Sequence, residues 1–400
     1  MKVTLQDIQK AHEILKKIIS PTETVQSISA SQIMKTEIYL KLENTQRTGS
    51  FKLRGAYNKI ANLSQEEKAR GVVASSAGNH AQGVALSASL AQVKSLIVMP
   101  ENASLNKIES TRNYGAEVVL HGEVYDDAFE HAKKLEKEKG YTFVHPYEDA
   151  HVIAGQGTIA LEILQKVPDL DSLVVPIGGG GLISGIAVAA KSINPKIRVI
   201  GVQSAQAPGM SLLFNKTTGK KSSKIITIAD GIAIKNPSKV MFENFISKYV
   251  DQVVTVSDDE IAETIVFLLE KSKTVAEGAG AAGLAAVFNR SLDLGAKSCV
   301  VLCGGNIDLN IVSQIIERGQ IRRGRLAAIS VVIDDMPGSL HKLTAVLSAL
   351  RANIIEVHHD RVSQNLFLRE TRVDFVFETS GPEHVQRIKE ALITSGAKII

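Results

Sequence analysis

The order of apolar and polar residues predicts strands that alternate with helices over most of the chain. Two stretches with helical spacing, 103–114 and 126–139, separate short apolar runs rich in β-branched residues. Such alternation indicates parallel sheet structure covered by helices on both faces. We predict strands at 37–43, 72–75, 95–100, 117–121, 142–146, 173–177, 198–203, 252–256 and 299–303, after an amphipathic helix at 5–19.

The pattern changes after residue 325. Residues 326–400 predict a strand, a helix, two strands, a helix and a short terminal strand, the split βαβ order of a ferredoxin-like module. We therefore predict a first domain at 1–320, with a smaller lobe at about 47–150, a linker at 321–325 and a second domain at 326–400. The basic run 318–325, RGQIRRGR, has no aromatic residues between its charges and fits a solvated linker better than a phosphate-binding patch.

Composition and charge argue against several classes of partner. With 44% hydrophobic and 22% charged residues, the chain is typical of globular proteins, and a net charge of +4 gives no argument for nucleic acid. The N-terminus carries acids, unlike a signal peptide, and no uncharged run approaches the ~18 apolar residues of a membrane span. Cys299 and Cys303 suit neither a disulfide framework nor a zinc site. We expect a soluble, cytoplasmic protein without a nucleic-acid or membrane partner.

Four motifs follow predicted strands. They are TGSFKLRGA at 48–56, SSAGNH at 75–80, GGGGL at 178–182 and CGGN at 303–306. Ligands of parallel α/β sheets bind outside the carboxyl ends of the strands, so these motifs predict one shared site. The first motif contains Lys52, and a lysine amine forms Schiff bases where its surroundings favour the neutral form.

The glycine loop predicts an anion site. Four consecutive glycines before a helix allow backbone N–H groups to converge at the positive end of the helix dipole, which suits a phosphate. The dinucleotide pattern fails because Ile183 and Ser184 stand where glycine is required, and the Lys-Ser/Thr of a P-loop is missing. A phosphate-bearing cofactor other than NAD or ATP remains, which argues against a nicotinamide dehydrogenase.

Ser76, Asn79 and His80 place a hydroxyl, an amide and an imidazole before a helix predicted to begin near Ala81. The position suits a carboxylate, although a plain Asn/Ser helix cap explains the stretch equally well. Taken alone, Cys303 is best interpreted as a buried core cysteine.

Together and in this order, the four motifs resemble the fold-type II pyridoxal-phosphate enzymes, most closely the threonine and serine dehydratases. The resemblance covers residues 1–320. It implies that Lys52 binds pyridoxal phosphate as a Schiff base and is the catalytic residue, and that Ser76, Asn79 and His80 receive the substrate carboxylate. The cofactor-binding residues it implies are Phe51, Lys52, Asn79, Gly178, Gly179, Gly180, Gly181, Leu182 and Cys303.

The residue at position 303 indicates the type of reaction. In the resembled family this position carries serine, threonine or cysteine beside the pyridine nitrogen of the cofactor. Such a group bonds to a neutral ring, which is a weaker electron sink and favours loss of a β-substituent. The resemblance therefore implies dehydration and deamination of L-threonine to 2-oxobutanoate and ammonia, and of L-serine to pyruvate.

Two alternatives share these motifs. Serine racemases carry a serine where this chain has Ala77, and acids of their divalent metal site where it has Gln203 and Gly209. Alanine cannot transfer a proton, so we disfavour racemisation and assign no metal, although a monovalent cation bound by carbonyls stays open. A non-catalytic amino-acid sensor on the same fold is disfavoured because Lys52 and the other motif residues are intact.

Residues 326–400 resemble an ACT domain, a regulatory module that commonly binds amino acids. The resemblance implies effector-binding residues Asp335, Gly338 and Asn353, with Arg351 where the family often has glycine. We expect isoleucine first and valine second as effectors. A four-stranded sheet with helices on one face leaves edges to cover, which predicts pairing between subunits in a dimer or tetramer. A module that only dimerises is the alternative.

Overall fold

The computed structural model describes residues 1–218, 225–362 and 366–400, and it divides the chain into two compact units, Met1–Ile307 and Asp308–Ile400. The division precedes the linker predicted at 321–325 by one helix. That helix, Leu309–Arg322, packs on the first strand of the second unit and buries Ile315 and Gly319. Most of the basic run is therefore helical, because these two residues give the segment a buried face.

The described residues form fourteen strands, and the predicted strands begin and end within three residues of the observed ones. The largest differences are at 142–146 and 299–303, where the chain leaves the sheet early to form loops. The strands are β1 Thr24–Gln26, β2 Glu37–Lys41, β3 Val72–Ser75, β4 Ser95–Met99, β5 Glu117–Leu120, β6 Thr142–Phe143, β7 Ser172–Pro176, β8 Arg198–Ser204, β9 Gln252–Val256, β10 Lys297–Val301, β11 Leu326–Asp334, β12 Asn353–Asp360, β13 Glu370–Glu378 and β14 Lys398–Ile399.

The helices of the same residues fill the intervals between the strands. Ser257 and Glu260 form a capping box at the start of one of them. They are α1 Leu5–Leu15, α2 Ile28–Met34, α3 Lys52–Ala61, α4 Gln65–Arg70, α5 Asn79–Leu90, α6 Leu105–Asn113, α7 Tyr125–Lys139, α8 Ala150–Lys166, α9 Gly181–Ile193, α10 Gly209–Phe214, α11 Lys239–Met241, α12 Ser247–Tyr249, α13 Asp258–Phe267, α14 Gly278–Asn289, α15 Leu309–Arg322, α16 Ser339–Ala349 and α17 Pro382–Thr394, with single turns at Glu43–Thr45, Asp230–Ile232, Phe242–Ile246 and Leu268–Ser272.

The first unit contains two sheets, which confirms the predicted α/β fold with parallel sheets. One has the order β1-β2-β10-β7-β8-β9, in which only β1 runs antiparallel to its neighbour, and the other has the all-parallel order β5-β4-β3-β6. Every residue of β3, β4 and β7 is buried. Strands covered on both faces need such continuous apolar runs, and these runs made them recognisable in the sequence.

Strand order explains why the motifs meet. In the larger sheet β10 lies between β2 and β7 and is parallel to both. The carboxyl ends of these three strands therefore lie side by side and lead into the Lys52 segment, the CGGN loop and the glycine loop. In the smaller sheet β3 leads into SSAGNH.

The second unit has a four-stranded antiparallel sheet in the order β12-β13-β11-β14. Alternate residues of β11 and β13 form a core with the two helices α16 and α17, which includes Val331, Phe375, Phe377, Leu347 and Ile388. The order of its elements agrees with the sequence pattern. Among the described residues of both units, no helix is both long and apolar enough to span a bilayer.

Candidate active site

Lys52 begins helix α3 and is partly buried. Its Nζ donates a hydrogen bond to the carbonyl oxygen of Pro146 at 3.1 Å and lies 5.2 Å from the centre of the Phe51 ring. Burial lowers the pKa of Lys52 to about 8, against the opposing influence of Cys303 and Glu277. A sizeable fraction of neutral amine is thus present near neutral pH, and this form is the nucleophile and base.

Backbone hydrogen bonds attach the CGGN loop to the Lys52 segment. The N–H of Phe51 donates to the carbonyl of Cys303 at 3.1 Å, and the N–H of Gly305 donates to Gly49 at 2.8 Å. Burial raises the pKa of the Cys303 thiol well above its ordinary value, so the thiol keeps its proton. The structure therefore brings together two motifs about 250 residues apart in sequence.

Side-chain amides extend this network to a buried acid. Asn306 donates through Nδ2 to the carbonyl of Thr48 and to Oδ1 of Asn79, both at 2.7 Å. Asn79 in turn donates through Nδ2 to Oε1 of Glu277 at 2.7 Å. Burial raises the pKa of Glu277 to about 8, with a further contribution from Asp230. Near neutral pH this carboxyl group is mainly protonated.

The glycine loop lies between β7 and α9, and different structural constraints require glycine at its different positions. Gly180 has a φ of 101°, which disfavours a side chain. A Cβ at Gly179 would lie 2.2 Å from the ring of Tyr147, and one at Gly181 would lie 2.8 Å from the Cβ of the same tyrosine. Two of the four glycines are therefore required by Tyr147, a reason that the sequence did not reveal.

The imidazole of His80 is hydrogen-bonded to the backbone of the chain. It lies inside helix α5, which begins at Asn79, and its Nε2 is 2.8 Å from the carbonyl oxygen of Val144. A carbonyl only accepts, so Nε2 carries the hydrogen and Nδ1 presents a lone pair. Burial, with Lys52 nearby, lowers the pKa of His80 to about 3. The neutral imidazole is thus unsuited to receive a carboxylate, and only the backbone N–H of His80 remains available for that role.

Ser76 keeps its predicted place before helix α5. Its Oγ accepts a hydrogen bond from the N–H of Gly78 at 3.2 Å, which leaves the hydroxyl hydrogen free to donate. Ala77 is half-buried and packs against the core of the smaller sheet. Leu182, after the glycine loop, is buried.

Sequence reasoning missed Glu277, Asn306 and the segment His145–Pro146–Tyr147. The sequence did contain a signal for Glu277, because it is the only charged residue between Lys273 and Arg290, in a run rich in alanine and glycine. Asn306 is the last residue of the CGGN motif, but the sequence analysis gave it no function. No signal marked the third segment, because its contacts are made with residues far away in the sequence.

Two buried hydroxyl groups make the site suitable for a phosphate-bearing group. Ser184 Oγ, in the first turns of α9, and Ser75 Oγ, at the end of β3, have no hydrogen-bond partner among the described residues. Buried polar groups are rarely left unpaired unless a ligand or water satisfies them. Together with the glycine loop and the amine of Lys52, these donors fit a cofactor that carries a phosphate and an aldehyde.

Comparison with known protein families gives the same chemistry. Residues 15–304 match the family described as pyridoxal-phosphate dependent enzyme. The chain belongs to this family. Pyridoxal phosphate is therefore its cofactor.

Individual relatives of this pyridoxal-phosphate enzyme are similar over different lengths. An L-threonine ammonia-lyase of Thermotoga maritima is 47% identical over 397 residues, 99% of each chain. The structure of threonine deaminase isoform 2 from Solanum lycopersicum has a TM-score of 0.74 at 32% identity and covers 80% of this chain and 91% of that one. Maize serine racemase has a TM-score of 0.75 at 32% identity and covers 80% of this chain and 99% of that one.

The racemase-specific positions have other partners here. Gln203 accepts a hydrogen bond from the N–H of Ser211 at 2.7 Å and lies 3.4 Å from the carbonyl of Ile177. Its amide thereby joins the end of β8 to helix α10, which begins at Gly209. The structure thus gives Gln203 a role in holding this helix.

The predicted effector residues lie in the second unit but not together. Asp335 pairs with Arg361 at 3.0 Å, and Gly338 precedes helix α16 with a φ of 90°. Asn353 follows the other end of this helix and donates to Glu378 at 2.9 Å. The 11 residues of α16 span roughly 16 Å. One small effector therefore cannot contact all three residues of a single module.

Proposed function

We propose that this enzyme is an L-threonine ammonia-lyase that converts L-threonine to 2-oxobutanoate and ammonia, and L-serine to pyruvate and ammonia. The observation that carries the proposal is the buried amine of Lys52, with its pKa lowered to about 8, next to the neutral thiol of Cys303. The similarity to an L-threonine ammonia-lyase over 99% of both chains supports the choice of substrate.

In the proposed reaction, Lys52 and Cys303 have different roles. When bound, pyridoxal phosphate supplies an electron sink for the α-carbon. Lys52 exchanges between neutral and charged forms near neutral pH, so its amine can accept the α-proton. The thiol of Cys303 stays neutral and does not hold a ring nitrogen in its protonated form, which favours loss of the β-hydroxyl. This hydroxyl takes up one proton and leaves as water, while Lys52 holds the proton removed from the α-carbon. A water molecule then releases ammonia.

The glycine loop and helix start of α9 hold the phosphate in this proposal, and Asn79 contacts the ring oxygen of the cofactor. Phe51 and Leu182 line the site. Ser76, Asn79 and the backbone N–H of His80 receive the substrate carboxylate.

The direct test is incubation of purified, cofactor-loaded protein with L-threonine and measurement of 2-oxobutanoate. We expect stoichiometric ammonia and 2-oxobutanoate, and pyruvate from L-serine. D-threonine is the control that tests stereochemistry. Bound cofactor without turnover of either L-amino acid would contradict the proposal.

Serine racemisation is a second candidate because a serine racemase shares the fold with a TM-score of 0.75. Ala77 argues against it, since no hydroxyl stands between Ser76 and Gly78 to transfer a proton. We expect Ala77→Ser to introduce measurable D-serine formation from L-serine, with Ala77→Gly as the matched control. If the unchanged protein racemises serine as fast as it dehydrates it, the proton-transfer argument is wrong.

We further propose that residues 326–400 form an ACT domain that binds isoleucine, or more weakly valine, and changes the affinity for threonine. The order of elements and the four-stranded antiparallel sheet support this assignment. Because Asp335 and Asn353 lie at opposite ends of α16, the effector site requires residues from two paired modules. The enzyme is accordingly a homo-oligomer.

The regulatory proposal is tested by titration of isoleucine, valine and alanine against the full chain. We expect isoleucine to change the KM for threonine, and a threonine analogue to change the affinity for isoleucine by the same factor. Asn353→Ala should weaken isoleucine binding without changing turnover in its absence. If no amino acid alters KM or binds, the module does not sense amino acids.

A further inference from the structure

We propose that His145 is a positioning residue that shapes the turn 145–148 and, through it, fixes both the resting position of the Lys52 amine and the packing of Tyr147 against the glycine loop. The inference rests on the cofactor site of the proposed function but not on the identity of the substrate.

The imidazole of His145 organises the turn through one atom. Its Nδ1 accepts hydrogen bonds from the N–H of Tyr147 at 3.2 Å and from the N–H of Glu148 at 2.7 Å. Both bonds require a lone pair on Nδ1, so the ring must be neutral with its hydrogen on Nε2. These two backbone donors precede helix α8, and Nδ1 of His145 is their hydrogen-bond acceptor among the described residues.

The first consequence concerns Lys52. The turn directs the carbonyl of Pro146, the residue between His145 and Tyr147, toward Nζ of Lys52 at 3.1 Å. The carbonyl of Pro146 and the N–H of Tyr147 belong to one planar peptide unit, so the hydrogen bond from this N–H to Nδ1 of His145 also fixes the direction of the carbonyl. The position of this acceptor, and with it the position of the amine, therefore depends on His145.

The second consequence concerns the glycine loop. The same turn places Tyr147 where side chains at Gly179 and Gly181 would be, with separations of 2.2 and 2.8 Å from their virtual Cβ atoms. The ring of His145 packs edge-on against that of Tyr147, with 4.7 Å between ring centres. A single residue thus supports two parts of the site that follow different strands, β2 and β7, of the larger sheet.

The surroundings of His145 keep its ring neutral. Burial lowers the pKa of His145 to about 4, helped by Lys52 and Lys133 and opposed by Glu148 and Asp149. The acceptor on Nδ1 is accordingly retained over the whole range from mildly acidic to alkaline pH.

A pair of variants separates the acceptor from the ring. Asp149 of this chain already shows that a side-chain oxygen can do what Nδ1 does, because its Oδ1 accepts from the N–H of His151 at 2.8 Å and of Val152 at 3.1 Å. His145→Asn keeps an acceptor for the second and third following N–H groups but loses the ring. His145→Phe keeps a ring but loses the acceptor.

We expect His145→Phe to weaken pyridoxal-phosphate binding by about tenfold or more, while His145→Asn stays within about threefold of the unchanged protein. Cofactor binding is measured by absorbance, and the covalent link to Lys52 by its rate of formation under borohydride trapping. Equal behaviour of the two variants, or unchanged binding in His145→Phe, would overturn the proposal.

A folding control and a second readout complete the test. Circular dichroism and thermal unfolding verify that both variants are folded. The reaction of Lys52 with pyridoxal, which lacks the phosphate, reports on the amine alone, and we expect its pH midpoint to shift in His145→Phe only. An unshifted midpoint in His145→Phe contradicts a role toward Lys52. If the unchanged protein binds the cofactor at Lys52 but does not turn over threonine, the proposed function fails and this inference stands.

Discussion

At the scale of single residues, burial shifts the pKa values of four titratable groups of the site toward the uncharged form. It lowers the pKa of Lys52 to about 8 and of His80 to about 3, and it raises the pKa of Glu277 to about 8 and that of Cys303 well above its ordinary value. Each shift favours the uncharged form because charge is costly to bury. The chemistry of the site therefore depends on how tightly its loops pack.

Lys52→Ala removes the amine that, in the proposed function, links the cofactor and accepts the α-proton. We expect turnover of threonine to fall by at least about 10³-fold. Borohydride reduction followed by peptide mapping should label Lys52 in the unchanged protein. Lys59→Ala, on the same helix, is the control and should keep both label and activity. A label on another lysine would falsify the assignment.

Glu277→Gln tests whether this carboxyl group is protonated in the folded enzyme. Its folded pKa of about 8 exceeds its ordinary value of 4.5, so the folded state binds the extra proton and wild-type stability falls as pH rises between these values. The amide cannot ionise and can still accept from Asn79. We therefore expect the variant to gain stability over wild type as pH rises from 5 to 8, by up to about 1.4 kcal/mol per pKa unit shifted. Parallel stability curves from denaturation across this range would contradict the shift.

At the scale of elements, helix α3 presents Lys52 because a buried ion network anchors it. Arg54 is fully buried and binds Glu43 through Nε and Nη2 at 2.8 Å and Glu162 through Nη1 at 2.6 Å. Lys41 of β2 joins Glu162 as well. The network connects α3 with β2, α8 and the turn Glu43–Thr45, so Lys52 begins a helix that three other elements hold in place.

Arg54→Met should destabilise the enzyme by about 3–5 kcal/mol, since two buried carboxylates lose their main partner. Lys297→Met is the matched control because its pair with Asp169 is exposed, and we expect it to cost no more than about 1 kcal/mol. Chemical denaturation of both variants measures the difference. Similar values for the two would show that burial does not determine the strength of this network.

At the scale of the whole molecule, residues beside both sheets of the first unit affect the pKa of one carboxyl group, that of Glu277. Lys107 lies in α6, which packs beside the smaller sheet. It forms an ion pair at 3.2 Å with Asp230, which lies in the turn Asp230–Ile232 beside the larger sheet. Asp230 raises the pKa of Glu277 and Lys107 lowers it. The packing of the two sheets therefore sets the proton affinity of a group in the site.

Opposite pH shifts follow from this arrangement. Asp230→Asn should lower the pKa of Glu277 and Lys107→Ala should raise it, which moves in opposite directions the pH at which the fall in stability caused by Glu277 ends. Stability should change by no more than about 1 kcal/mol, because the side chains are 65% and 25% exposed. Combination of either change with Glu277→Gln is the control and should abolish the shift. Shifts in the same direction would contradict the prediction.

The sequence by itself determined the alternation of elements and the order of the motifs. Both depend on local patterns: buried parallel strands require unbroken apolar runs, and helix starts require capping residues such as Ser257. The rule that ligands bind at strand carboxyl ends then placed Lys52, Asn79, the glycine loop and Cys303 at one site. In the structure, hydrogen bonds join the Lys52 segment to Cys303, and Asn306 of the same loop to Asn79.

Only the tertiary structure decided which groups those residues bind and which protons they hold. Asn306 reaches Asn79 across 227 positions, and Lys52 reaches Pro146 across 94. The neutral ring of His80, the protonated Glu277 and the turn shaped by His145 all depend on burial by distant elements. Burial is a property of the packed chain, so local patterns could name the motifs but not the environment that makes them reactive.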